Sequence, residues 1–81
     1  MRKKPGSSTL KQADQILSVL SAARQKAGLS QRQLSAELGL HYATVSKIER
    51  GERQLTVTEF LLVCSILGVS PIAILRSALN D

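Results

Sequence analysis

The sequence predicts an all-α domain of five short helices over residues 9–81, preceded by a basic arm over residues 1–8. Helix-start signals recur along the chain, followed by apolar residues three and four apart, and four of the five helices are closed by a glycine. No segment alternates apolar and polar residues with period two, and no Asn-Gly or Asp-Gly pair signals a hairpin. A chain of 81 residues has room for one domain.

The segment MRKKPGSS has no periodicity and combines cations with Pro, Gly and Ser, which reads as a disordered arm. It is either a solvated terminus or a basic tail that touches the phosphate of a polyanion. Thr9-Leu10-Lys11-Gln12 then has the capping-box form. Ile16, Leu17, Leu20, Ala23 and Ala27 follow at helical spacing, and Gly28 ends the run. Ser30-Gln31-Arg32-Gln33 is another capping box, with Leu34 and Leu38 one turn apart and a stop at Gly39. A third helix runs from Tyr42 to Arg50, with Val45 and Ile48 inward and Gly51 closing it.

Thr56-Val57-Thr58-Glu59 repeats the capping box, with Leu55 and Phe60 at the two positions of a hydrophobic staple. Phe60, Val63, Cys64 and Leu67 face inward and Gly68 ends this helix. Ser70-Pro71 supplies an N-cap and a first-turn proline for a last helix carrying Ile72, Ile74, Leu75 and Leu79.

Composition narrows the function. The formal charge of +5 attracts polyanions, while Tyr42 and Phe60 are the only aromatics. So few stacking platforms argue against a single-strand or RNA groove. Cys64 has no partner for an internal disulfide, and it reads as a small buried hydrophobe in a reducing cytoplasm. His41 stands alone, so no metal site is expected, and no cofactor motif is present. Nothing pairs a nucleophile with a base, which argues against an enzyme. No apolar run is long enough for a membrane span, and none follows Arg2-Lys3-Lys4 as a signal-peptide core would.

The informative stretch is Ser30 to Arg50, where two short helices are separated only by Gly39-Leu40-His41. A link this short cannot return the second helix antiparallel; it sets the pair at the steep angle of a helix-turn-helix. Leu40 is expected to point inward, and Ala36, small and on the inner side, to permit close approach. Tyr42, Ala43, Thr44, Ser46, Lys47 and Arg50 are then left outward at a helix N-terminus whose dipole favours anions. Polar and small groups of this kind read base edges in a major groove; an ordinary solvated helix face has the same pattern.

The run LSQRQLSAELGLHYATVSKIERGER resembles the helix-turn-helix of the Cro/CI-type (XRE) repressor family. The similarity lies in S-Q-x-x-L-A/S-x-x-x-G, an apolar residue after the glycine, and x-x-x-x-V/I-S-x-I/W-E-x-G. The following LTVTEFLLVCSILGVSPIAIL is similar to that family's fourth and fifth helices, so the resemblance runs from about Ile16 to Leu79. It implies a five-helix, lambda-repressor-like fold that binds double-stranded DNA.

By that resemblance Gln31 binds backbone phosphate and braces the recognition helix. Tyr42 and Ala43 take the first base-reading positions, and Ser46 and Lys47 the next pair. His41 and Thr44 sit where phosphate or base contacts vary among members, and Arg50 and Arg53 where the chain passes close to phosphate. Arg24 and Glu49 match an ion pair that ties the first helix to the third. Many members carry Gln at one or both first reading positions, so Tyr42 and Ala43 leave the operator sequence open.

The resemblance also implies a dimer on a two-fold operator. Leu61, Leu62 and Ile66 lie off the inward face of the fourth helix, and Ile72, Leu75 and Leu79 add apolar surface on the fifth. Leu62, Ile66, Ile72, Leu75 and Leu79 are therefore the expected isologous interface. The function implied is a transcriptional regulator of repressor type, with the size of a restriction–modification controller. Two alternatives stand beside it. One is the antitoxin of a toxin–antitoxin operon, with a toxin or other protein partner. The other is an interaction module that keeps the fold without binding DNA.

Overall fold

The computed structural model describes the backbone of residues 5–79 and the side chains of residues 12–79. It consists of α1 (Pro5–Lys26), α2 (Gln31–Glu37), α3 (Thr44–Glu49), α4 (Val57–Leu67) and α5 (Pro71–Leu79). No strand occurs among the described residues. The fold class is the all-helical one predicted.

α1 starts at Pro5 rather than at the Thr9 capping box, so the part of the expected arm from Pro5 onward is helical. Proline is tolerated there because its ring presets φ and a first-turn N–H has no intrahelical acceptor to lose. The cations Arg2, Lys3 and Lys4 lie outside the described residues.

Two helix starts follow the sequence closely. Ser30 Oγ accepts from the Gln33 amide at 3.0 Å, and the Gln33 side chain accepts from the Ser30 amide at 2.8 Å. Thr56 and Glu59 make the same reciprocal pair at 3.1 and 3.0 Å. Each box satisfies two amides that a helix start otherwise leaves unpaired, a contribution of about 1 kcal/mol per cap.

The core draws on every helix: Leu20 from α1, Leu34 from α2, Val45 from α3, Val63 and Cys64 from α4, and Ile74 from α5. Cys64 is fully buried, and that burial pushes its thiol pKa up, away from reactive thiolate. α1 packs chiefly on α5 and α2 chiefly on α3, while α4 and α5 are bent 107° apart. No single helix among the described residues is long and apolar enough to cross a membrane.

Two packing expectations are corrected. Ala36 is exposed; the residue that lets α3 approach α2 is its neighbour Ser35, which is completely buried. Ile66 is partly buried against the protein's own core instead of lying free for a partner. Helical phase explains it, since Ile66 falls one turn from Val63 and so shares its inner side.

Candidate nucleic-acid interface

The angle between α2 and α3 is set by hydrogen bonds as much as by length. α2 ends with the Gly39 amide donating to Ala36 O and the Leu40 amide to Ser35 O, both at 3.0 Å. That closure needs a left-handed residue at Gly39, whose φ is +73°. Ser35 then fastens the far side of the turn. Its hydroxyl donates to Gln31 O at 2.9 Å and accepts the Val45 amide at 3.0 Å. One buried side chain thus satisfies an amide in the first turn of α3 and fixes that helix to α2.

α3 begins two residues later than its pattern suggests. The His41 ring accepts the Ala43 amide through Nδ1 at 3.2 Å, and the His41 carbonyl accepts the Thr44 amide at 2.9 Å. A local turn therefore holds residues 41–44, and Tyr42 and Ala43 lie in it, ahead of the helix. This start places Thr44, Val45 and Ile48 on one inner stripe, and all three are buried. Thr44 is thereby corrected from a DNA-facing residue to a packed one. The outward side of α3 and its turn carries His41, Tyr42, Ala43, Ser46, Lys47 and Arg50.

No acidic residue of α3 lies on that outward face, because Glu49 is drawn inward. Its carboxylate accepts from Arg24 Nε at 2.8 Å, Arg24 Nη2 at 3.2 Å, Gln31 Nε2 at 2.8 Å and the Ser21 hydroxyl at 3.2 Å. Arg24 uses its remaining Nη1 on the Leu29 carbonyl at 2.7 Å. The knot ties α1, α2 and α3 together, and Gln31 is committed to it as a brace. Burial works against the Glu49 charge, but the bonds from Arg24 and Gln31, the Arg24 charge and the Ser21 hydroxyl outweigh it. The carboxyl is held below the usual range.

The remaining cations divide into two kinds. Arg50 is exposed, chelating Glu52 at 3.0 Å through Nε and Nη2 and bonding the Ser46 hydroxyl. Arg53 forks onto Glu59 at 2.8 and 2.9 Å, and Glu59 also caps α4. Bonds from Arg53 and the Thr56 backbone hold Glu59 down to about pKa 2. Both guanidinium groups, expected free for phosphate, carry an acidic partner close at hand. Lys47 and Arg32 make no ion pair among the described residues.

Arg32 and Ser35 are absent from the sequence-derived site. Ser35 carried a faint signal, as the small residue in the L-A/S step of the motif. Arg32 carried none, since its contact, the Tyr42 ring, is far along the chain.

Of the expected interface residues, Leu62, Ile72, Leu75 and Leu79 are exposed, together with Leu61 and Val57. No group of three or more His, Cys, Asp or Glu side chains is arranged to hold a metal among the described residues.

A family model described as a helix-turn-helix matches residues 20–74, more than half of the chain. The match spans from the end of α1 into α5 and so includes the knot, the turn and the outward face. No curated protein matches the chain.

Proposed function

The chain belongs to the Cro/CI-type (XRE) helix-turn-helix family of DNA-binding regulators, and from that premise we propose a sequence-specific, repressor-like regulator that binds a two-fold duplex site as a homodimer. The observation that carries the proposal is the outward face of α3 and its turn. Small and polar groups there stand with Lys47, and the one acid of α3 is buried in the knot behind them. A helix can enter the major groove with such a face because none of the residues of α3 that form it is acidic. Ser46 and Lys47 are the readers on the helix, Tyr42 and Ala43 those of the turn. Lys47 has the reach and donors for guanine O6 and N7.

The dimer is supported by the exposed Leu61 and Leu62 on α4 and Ile72, Leu75 and Leu79 on α5. Several exposed apolar side chains of this size on neighbouring helices favour an interaction surface in a small domain. Two copies joined there would present two recognition helices to one duplex, and half-sites one helical turn apart would follow.

Selection of bound sites from a random duplex pool, repeated at two salt concentrations, tests the reading. The expected result is a two-fold consensus with steep salt dependence, and a dimer by sedimentation at micromolar protein. Lys47→Ala should cost roughly 1–3 kcal/mol of discrimination at one base position. A K47A protein that binds its selected site as well as the parent removes Lys47 from the readers. Negligible, salt-insensitive binding to any duplex would favour a protein-interaction module instead.

A further inference from the structure

We infer that Arg32 is a positioning residue for DNA recognition: the face of its guanidinium orients Tyr42, and its N–H edge is presented to a backbone phosphate. The inference rests on the DNA-binding reading above. Tyr42 is 57% exposed and precedes α3, so the helix backbone does not fix its ring. Two neighbours do. Arg32 Cζ lies 4.6 Å from the ring centroid, and the His41 ring lies 4.3 Å away, tilted by 34°. Arg32 belongs to the first turn of α2, which the Ser35–Val45 and Gln31–Glu49 bonds hold against α3. The ring is therefore held between a helix and a turn that cannot shift independently.

A guanidinium has five N–H donors, more than a contact with one ring can occupy, so donors stay available for another partner. Arg32 makes no hydrogen bond or ion pair with those donors among the described residues. Arg50 and Arg53 have theirs occupied by Glu52 and Glu59. A planar fork with a free edge beside the recognition turn suits a phosphodiester oxygen pair. Lysine in its place keeps the charge and loses the planar stack, which separates the two roles.

The test uses the full chain and has a readout that needs no DNA. In the nuclear magnetic resonance spectrum of the parent, the Arg32 δ protons should be shifted upfield by the Tyr42 ring. Tyr42→Ala should abolish that shift. In duplex selection, Arg32→Lys should keep the parent's salt slope and relax the base preference opposite Tyr42. The relaxation should be roughly two- to fivefold, the equivalent of an exposed cation–π contact. Arg32→Ala should relax the preference equally and also lower the salt slope by about one. Both variants should melt with the parent. An R32K protein with the parent's preference overturns the orienting role, and an R32A protein with the parent's slope overturns the phosphate contact. If the parent itself binds no duplex, the DNA reading fails and this inference with it; the upfield shift would still report the stack.

Discussion

Two arginine–glutamate pairs bracket the end of α3 and serve opposite ends. Arg24 and Glu49 have side chains 9% and 13% exposed, and every contact they make is inside the protein. Arg50 and Glu52 follow at once in sequence and are 54% and 55% exposed. The Coulomb chemistry is the same; the solvent differs. A buried pair is expensive to break because one charge is then left unpaired, while an exposed pair exchanges partners at little cost. The first holds the recognition helix in place, and the second keeps a cation in reserve on its outer edge.

The largest effect should come from breaking the buried pair. Glu49→Gln leaves the Arg24 guanidinium without its counter-charge and should destabilise the domain by about 3 kcal/mol. In a domain of this size that lowers the melting temperature by more than about 10 °C. The pH dependence has a definite sign. The folded pKa of Glu49 lies below its unfolded value, so its contribution is complete above about pH 4.3 and is lost as pH falls through the depressed value. Glu59, held at about 2, adds a second loss over the same acid range. Circular-dichroism melts between pH 7 and pH 2 should show parent and E49Q converging as the pH falls. An E49Q protein as stable as its parent at pH 7 would abolish the contrast between the pairs.

Next comes Ser35→Ala. It removes the acceptor of the Val45 amide at a site with no access to water, and a buried donor left unpaired costs about 1–3 kcal/mol. The loss should exceed that of Ala36→Ser, which changes an exposed position and should be nearly silent. Equal melting temperatures for the two variants would show that α2 and α3 are held by apolar packing alone.

These residues also mark how far the sequence could be read. Capping boxes at Ser30 and Thr56 involve groups three residues apart, so pattern alone locates both helix starts. The start of α3 escaped that logic, because the His41 ring, a residue outside the usual capping set, closes the preceding turn. Val45 and Ile48 are inward as their spacing predicts; Thr44, one turn before Ile48, shares their stripe and is packed instead of facing outward. The partner of Arg53 was hidden for a related reason. Glu59 is recognisable as a cap, but only the folded loop reveals that its carboxylate also holds the arginine. Ile66 reads as outer surface, although its one-turn spacing from Val63 already puts it at the edge of the inner side.

The smallest effect on stability, and the most informative for function, belongs to Glu52→Gln. Both partners are solvated, so the melting temperature should stay within experimental error of the parent. Binding should respond instead. Glu52 holds the Arg50 charge with hydrogen bonds and places a carboxylate beside the outward face of α3. Removing that negative charge leaves Arg50 free to meet a phosphate and removes a group that phosphate repels. Affinity for duplex should rise, and the slope of log K against log salt should steepen by up to about one unit. Titration of the parent and E52Q on one selected duplex, at several salt concentrations, measures both quantities. Unchanged affinity and slope would mean that Arg50 stays out of reach of the DNA. Weaker binding would mean that Glu52 orients Arg50 for its phosphate, making the exposed pair a positioning device like the buried one.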